Sequence, residues 1–369
     1  EAFKRGLKIL ADRGIRTYAY VNGQLIERGT TDYWKNGGGS TAGVLCRDGT
    51  RACEGWLKYV GKPPHVFDVA CPWAPAWLKR MHEVAREAQS LGFNGLYMDQ
   101  TGKQWPWLCF ATNHGHAPGT WVWTEDRVKY LKGIHDEMTK LDPDFILTSE
   151  GYCEPISGSC AIHLGLRDPG RITSRFDKDA WLDKYPEMTF YAIPQYITSD
   201  RWPSPTRTRE DVNGTAVVNY RVDLEVRYPT DRKVFEKGDQ VDVNEYVPLV
   251  GPPCDFRDFQ KMDFKANRDY LKAVNGFRRM HRDVLLRGRF TDTEGFSVSA
   301  QTDKYIAKRW VSSDGAKSGV LVWNASAKPA RFEVKTSGKF VGAFEPESGS
   351  VDPTTPISAD SLRLYRYER

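Results

Sequence analysis

Two short apolar runs each stop on an acid: "LYMDQ" ends on Asp99, and "LTSEG" ends on Glu150, 51 residues later. A buried strand that finishes on a carboxylate has two physical readings. The acid caps the next element or fills a buried ion pair, or it stands at the mouth of a site. One such acid is ordinary. Two at equivalent strand ends, each followed by a long loop, favour a shared rim. Two facing carboxylates are the minimum machinery for glycoside hydrolysis: one attacks or stabilises the anomeric carbon, and the other protonates the leaving oxygen. Their surroundings must split the two pKa values, so that one is ionised and one protonated near neutral pH. Asp68, in "VFDVACP", is a third and weaker candidate.

The loop after Asp99, "KQWPWLCFATNHGHAPGTWVW", carries Trp105, Trp107, Trp121 and Trp123, with His114 and His116 between them. Tryptophans in a polar, Gly/Pro-punctuated loop offer flat faces to pyranose rings and N–H donors to hydroxyls. Packing the loop down is the alternative for each. An H-x-H pair without a third nearby ligand is a weak metal signal. Hydrogen bonds to sugar hydroxyls or to Asp99 are the expected roles of His114 and His116, and no metal or cofactor is expected. Other polar and aromatic groups at strand ends complete the candidate lining: Tyr20, Asn22, Tyr97, Gln100, Tyr152, Gln195 and Tyr196, with Glu154 beside them.

The elements that must position these groups alternate. Residues 2 to 13 read as a helix with Phe3, Leu7, Leu10 and Ala11 on one face, stopped by Gly14. A strand over 15 to 23 ends at Asn22, and 65 to 72 reads as a weaker strand. A helix from Ala74 buries Trp77, Met81, Val84, Ala88 and Leu91. Gly92 ends it, and Gly95 allows close packing at the next strand. Thr124 is the expected N-cap of a helix striped by Val128, Leu131, Ile134, Met138 and Leu141. "DFILTSE" and "MTFYAIPQY" (188 to 196) are further strands, and a long helix is expected over about 258 to 284. Its stripe is Met262, Tyr270, Val274, Phe277 and Met280.

Helix and strand in alternation imply a parallel sheet with helices outside. The strands read as apolar throughout, as a sheet covered on both faces requires. Loops before the strands are short and loops after them are long, the asymmetry of a β/α barrel whose chemistry sits on its C-terminal rim. A doubly wound sheet competes, but no Gly-rich phosphate fingerprint follows a first strand. From about 290 the texture changes to short alternating strands between Gly, Asp, Ser and Pro turns. The expected architecture is α/β: a (β/α)8 TIM-type barrel over 1–288, its opening strands not all evident, then a small antiparallel β-sandwich over 289–369.

Totals remove several classes. The 369 residues carry 53 basic against 48 acidic side chains, a net charge of +5, and no dense Lys/Arg block. Nucleic acid is therefore not expected as a partner. No stretch approaches 18 apolar residues, so no membrane span is expected. The seven cysteines, at 46, 53, 71, 109, 153, 160 and 254, fit no zinc spacing and read as reduced or partly paired thiols. No leader pattern is present. The chain opens directly in a helical pattern, so an upstream segment is expected to be missing. Localisation stays open, with a secreted or periplasmic setting compatible.

With these residues in view, "ACPWAPAWL", "GLYMDQTG", "HGHAPG" and "LTSEGYCEP" resemble successive landmarks of barrel glycoside hydrolases. The likeness is to the retaining α-glycosidase-like clans and to uncharacterised bacterial barrel proteins close to them. "YLKAVNGFRRMHRDVLLRGRF", leading into the β-rich end, is also similar. The resemblance covers most of the chain loosely and residues 92 to 155 well. It implies a nucleophilic Asp at the end of the fourth barrel strand and an acid/base on a later strand. By position these are Asp99 and Glu150. The order Asp then Glu departs from the large β-glycosidase clan, where the acid/base comes first and both are usually Glu. The expected substrate is an oligo- or polysaccharide or other glycoside, probed next to three alternatives: an inverting glycosidase with the same pair, a catalytically inactive carbohydrate-binding barrel, and a metal-dependent hydrolase or deacetylase using His114, His116 and Asp99. The sugar, exo or endo action and the oligomeric state are not legible.

Overall fold

The structure, a computed structural model, describes residues 2–28, 41–56, 65–102, 105–150, 154–156, 158–164, 196–197, 208–219, 222–223 and 264–369. The chain divides into two compact units, Glu1–Gly165 and Leu166–Arg369.

In the first unit the elements are α1 (Ala2–Asp12), β1 (Tyr18–Asn22), β2 (Leu25–Glu27), β3 (Cys53–Trp56), β4 (His65–Val69), α2 (Pro75–Leu91), β5 (Gly95–Asp99), β6 (Trp107–Cys109), β7 (Thr120–Val122), α3 (Asp126–Leu141), β8 (Ile146–Glu150) and β9 (Cys160–Leu164). Strands β1, β5, β8 and β9 form a parallel sheet in that order. Strands β2, β4 and β3 form a small antiparallel sheet, and β6 and β7 a hairpin.

Local sequence explains the helix ends. Pro75 opens α2, where its missing N–H costs nothing. Gly92 closes it at φ 101°, and the amides of Gly92 and Phe93 turn back to Gln89 O (2.9 Å) and Ala88 O (3.1 Å). Helix α3 departs from the expectation: Glu125, not Thr124, stands at its N-cap and gives no side-chain cap, while the carboxylate of Asp126 turns back to accept the N–H groups of Trp123 (3.0 Å) and Thr124 (2.6 Å) in the preceding turn. Leu141, placed in the buried stripe by periodicity, is exposed at the helix end, while Tyr130, Leu131, Ile134 and Met138 are buried.

The central strands correct the expectation of uniformly apolar strands. They alternate. Leu96, Met98 and Leu147 share a core with Trp77, Met81, Ala85 and Ala88 of α2 and Leu131, Ile134 and Met138 of α3. Burying each large apolar side chain there contributes roughly 1.5–3 kcal/mol. The opposite face carries Tyr20, Asn22, Tyr97, Asp99, Thr148 and Glu150, since residues two apart on a strand share a face. Among the described residues, α2 and α3 cover the apolar side, and the polar side carries the candidate site. Gly95 makes the close strand approach that its sequence position suggested: a Cβ there would stand 2.1 Å from Ile146 O and 2.9 Å from Tyr18 Cδ1.

The second unit holds helices α4 (Thr208–Val217), α5 (Phe264–Met280) and α6 (Arg282–Leu285) beside antiparallel strands. The expected single long helix is broken at His281, and Met280 is exposed; Met262 lies outside the described residues. A six-stranded sheet runs in the order 289–292, 305–311, 317–324, 361–368, 339–345, 349–351, and a two-stranded sheet pairs 296–300 with 332–336. Period-2 alternation splits the core. Val320, Val322 and Tyr365 pack with Phe332, while Leu321, Trp323 and Leu364 pack with Tyr270, Val274 and Phe277 of α5.

Candidate active site

Parallel pairing brings three strand ends together. Tyr20 pairs with Tyr97 and Asn22 with Asp99. On the other side Tyr97 pairs with Thr148 and Met98 with Ser149, so Glu150 follows Ser149 as Asp99 follows Met98. The two acids thus close adjacent strands, at their C-terminal ends and on one face.

Asp99 sits in a fan of donors. Tyr20 Oη donates to Oδ2 at 2.6 Å, Asn22 Nδ2 to the same oxygen at 3.1 Å, and Tyr97 Oη to Oδ1 at 3.3 Å. The Asn22 amide cannot be turned round, because its Oδ1 accepts the backbone N–H groups of Gln24 (3.0 Å) and Leu25 (2.8 Å). Tyr97 stays protonated: burial pushes its pKa far up, and the charges of Asp99, Glu150 and Tyr20 push further the same way. That one hydroxyl feels both carboxylates. The Tyr20 and Tyr97 rings lie 5.4 Å apart.

Gln100 ties the two acids. Its φ of 65° is left-handed, which costs a non-glycine residue roughly 1–2 kcal/mol. The turn aims its backbone N–H at Glu150 Oε2, 3.1 Å away. Strain of this kind concentrates at functional sites. The Gln100 side chain reaches Glu54 of β3 at 3.5 Å. Glu54 was missed by the sequence reading, and "RACEGW" offers no periodicity that would have marked it.

Asp68 takes the structural role. It is fully buried, accepts Arg28 Nε at 3.0 Å and a second Arg28 nitrogen, and has Arg51 4.0 Å away. The tryptophans divide. Trp105 and Trp121 are 80% and 55% exposed, whereas Trp123 is buried, with Nε1 donating to Ala70 O at 2.7 Å. Trp107 is half-buried.

The contacts expected from His114 and His116 to sugar hydroxyls or Asp99 are taken instead by protein groups. His114 is buried, with Nε2 2.8 Å from Thr41 O and Nδ1 3.4 Å from Cys109 Sγ. His116 has Nδ1 2.9 Å from Ala117 O and Nε2 3.4 Å from Cys71 Sγ. The reason is partly long-range: Cys71 and Thr41, distant in sequence, fold against the H-x-H pair together with the nearby Cys109. Cys46, Cys53, Cys71, Cys109 and Cys160 are all free thiols. Tyr152 and Gln195 lie outside the described residues, and for Tyr196 and Glu154 only the backbone is described, in a two-residue strand and a 3-10 turn. Among the described residues, no helix is long and apolar enough to cross a membrane.

Comparison with known proteins follows the same lines. Residues 1–166 match a family described as "Domain of unknown function (DUF6259)". A Bacteroides thetaiotaomicron protein named "Putative glycoside hydrolase" is 34% identical over 333 residues, 87% of this chain and 43% of that protein. The chain therefore spans less than half the length of that relative. Among solved structures, Amy13B of Eubacterium rectale matches with a TM-score of 0.61 at 10% identity, over 100% of this chain and 82% of that one. The maltogenic alpha-amylase AmyB of Thermotoga neapolitana matches with a TM-score of 0.60 at 10% identity, over 100% and 81%. At such identity the likeness concerns the fold alone: the chain is similar in sequence to a protein named for glycoside hydrolysis and shares the fold of these two solved proteins.

Proposed function

We propose that the chain forms the catalytic part of a retaining glycosidase acting on an α-linked sugar, with Asp99 as nucleophile and Glu150 as general acid/base. The observation that carries this reading is the pairing of the two acids. They end adjacent parallel strands on one face, and the Gln100 N–H joins one strand end to the carboxylate of the other. We assign the parallel sheet to a (β/α)8 barrel over 1–288, followed by a sandwich at 289–369. The name of the Bacteroides relative supports glycoside hydrolysis, the fold neighbours support the barrel, and the Asp-then-Glu order supports the α-linkage.

The chemistry runs in two displacements. In the first, an Asp99 oxygen bonds to the anomeric carbon as the glycosidic bond breaks, and Glu150 gives its proton to the departing oxygen. Asp99 Oδ1, which carries the longer 3.3 Å contact, is the attacking oxygen; Tyr20 and Asn22 hold Oδ2. In the second, Glu150 takes a proton from water, the oxygen of that water bonds to the anomeric carbon, and the ester to Asp99 breaks. The Gln100 amide holds Glu150 Oε2, so the transferred proton belongs on Oε1. Trp105 and Trp121 give stacking faces to sugar rings and Trp107 flanks them, while the buried Gln100, bonded to Glu54 and Glu150, positions the acid/base rather than the substrate. Tyr97, kept neutral, stabilises the charge that Asp99 regains when the ester breaks.

The test is stereochemical. Proton NMR of the first product from an aryl α-glycoside should show the α-anomer, and Asp99→Asn or Glu150→Gln should each lower kcat/KM by roughly a thousandfold or more. A β-anomer would replace retention by inversion. Unchanged carbohydrate-dependent function in Asp99→Asn would favour an inactive binding barrel.

A further inference from the structure

We infer that the chain holds a structural zinc ion on Cys71, Cys109, His114 and His116. One ligand atom from each lies within 4.8 Å of every other. The two sulfur–nitrogen pairs stand at 3.4 Å. In a tetrahedral site, Zn–S bonds of about 2.3 Å and Zn–N bonds of about 2.0–2.1 Å place sulfur and nitrogen about 3.6 Å apart. The two sulfur–nitrogen separations therefore fit edges of such a site, and all four ligand atoms are gathered within 4.8 Å.

The imidazoles carry a second, independent observation. Each is held by a backbone carbonyl on the nitrogen that faces away from the cluster: His114 Nε2 by Thr41 O at 2.8 Å, His116 Nδ1 by Ala117 O at 2.9 Å. A carbonyl accepts only, so the proton sits on those nitrogens. His114 Nδ1 and His116 Nε2 are left as bare lone pairs, both aimed at the cysteine sulfurs. Outer hydrogen bonds that fix the tautomer and orientation of a ligating histidine are a regular feature of metal sites.

Charge and burial agree. Cys71 and Cys109 are fully buried and His114 nearly so. Two thiolates and two neutral imidazoles around a divalent ion give a site of zero net charge, which a protein interior tolerates where an unpaired charge would not. Four protein ligands leave no open position for water or substrate, so the role is structural. That distinguishes it from a metal hydrolase built on His114, His116 and Asp99, since Asp99 is not a member of the group.

The ion would staple three segments. Cys71 follows β4, and its N–H donates to Ala42 O at 2.8 Å. Cys109 ends β6, and the next N–H, of Phe110, donates to Leu45 O at 2.7 Å. His114 and His116 sit in the turn between β6 and β7. The hairpin that displays Trp121, with Trp105 just before it, is therefore clamped to the 41–46 segment and to the start of α2. This inference stands independently of the glycosidase reading.

The whole chain, purified without a metal-binding tag from zinc-replete culture, should contain one zinc per molecule by elemental mass spectrometry. X-ray absorption of that wild-type sample should show a shell of two sulfurs at about 2.3 Å and two nitrogens at about 2.0–2.1 Å. Exchange with cobalt should give a thiolate charge-transfer band and the strong ligand-field bands of a tetrahedral ion. Cys71→Ser, Cys109→Ser and His116→Gln should each lose the metal, while Cys53→Ser, which alters an exposed thiol outside the group, should keep it. Where a ligand variant fails to fold, the wild-type absorption spectrum still decides. Wild type with well below one zinc per chain, a first shell without sulfur, or a Cys71–Cys109 disulfide in a non-reducing peptide map would overturn the assignment.

Discussion

One substitution tests the strand arrangement on which the paired acids depend. Gly95 opens β5, four residues before Asp99, against Ile146 at the start of β8. An alanine Cβ would stand 2.1 Å from Ile146 O, about 0.9 Å inside the 3.0 Å that real Cβ contacts essentially never breach. The obstructing atom is backbone, so no rotamer change relieves the clash. Strands lie about 4.8 Å apart, and opening one pair by about 1 Å strains the ladder at the Ile146 N–H to Asn94 O bond of 3.0 Å. Gly95→Ala should cost about 3 kcal/mol or more, beyond ordinary overpacking. At 2–4 °C per kcal/mol for a unit of this size, Tm should fall by roughly 6–12 °C. Gly6→Ala is the matched control. Gly6 lies inside α1 with nothing within 4 Å of its virtual Cβ, so the same change should stabilise by about 0.5–1 kcal/mol. Urea denaturation and calorimetry of both variants read the opposite signs. A Gly95→Ala protein within 2 °C or so of wild type would refute the β5–β8 register, and with it the adjacency of Asp99 and Glu150.

Three further outcomes follow from the contacts. Tyr20→Phe removes a 2.6 Å bond to Asp99 from a residue that is 64% exposed, so kcat/KM should fall about tenfold, near the low end for a charge-assisted bond, with Tm unchanged. Trp121→Ala should raise KM roughly fivefold without loss of stability, whereas Trp123→Ala should cost about 3–5 kcal/mol, because only the latter is buried. His281, between Phe277 and Phe344, has its pKa lowered to about 4, first by burial and then by the neighbouring Arg366. The unfolded chain binds the proton more readily, so the stability it confers is complete above about pH 6.5 and is lost as pH falls towards 4, about 3 kcal/mol over that window. Unfolding titrations at pH 7, 5.5 and 4.5 should show a slope that His281→Asn removes.

Much of the site was legible because its signals are local. A helix stop at Gly92, a strand that ends on Asp99 and another that ends on Glu150 are each written in fewer than ten residues. The order and spacing of the two strands implied a shared rim but left them adjacent or next-nearest; the β5–β8 pairing makes them adjacent. What escaped was whatever depends on distance in sequence. Cys71 precedes Cys109 by 38 residues, so no spacing rule joins it to the H-x-H turn. The histidines accordingly read as sugar contacts. Tyrosine misled in another way. Counted as apolar, Tyr20 and Tyr97 made their strands look buried on both faces, when their hydroxyls mark the polar face. Asp68 shows the converse, an acid at a plausible position, itself buried, whose arginine partner lies 40 residues away.

The central claim is that Asp99 is the nucleophile, and covalent trapping addresses it most directly. The protein would be inactivated with activated α-linked glycosides bearing fluorine beside the anomeric centre, then digested and mapped by mass spectrometry. A single sugar-fluoride adduct on Asp99, absent from Asp99→Asn and protected by a competing sugar, is the expected result. Inactivation with the label on any other residue, or turnover of the natural linkage by Asp99→Asn at the wild-type rate, would contradict it.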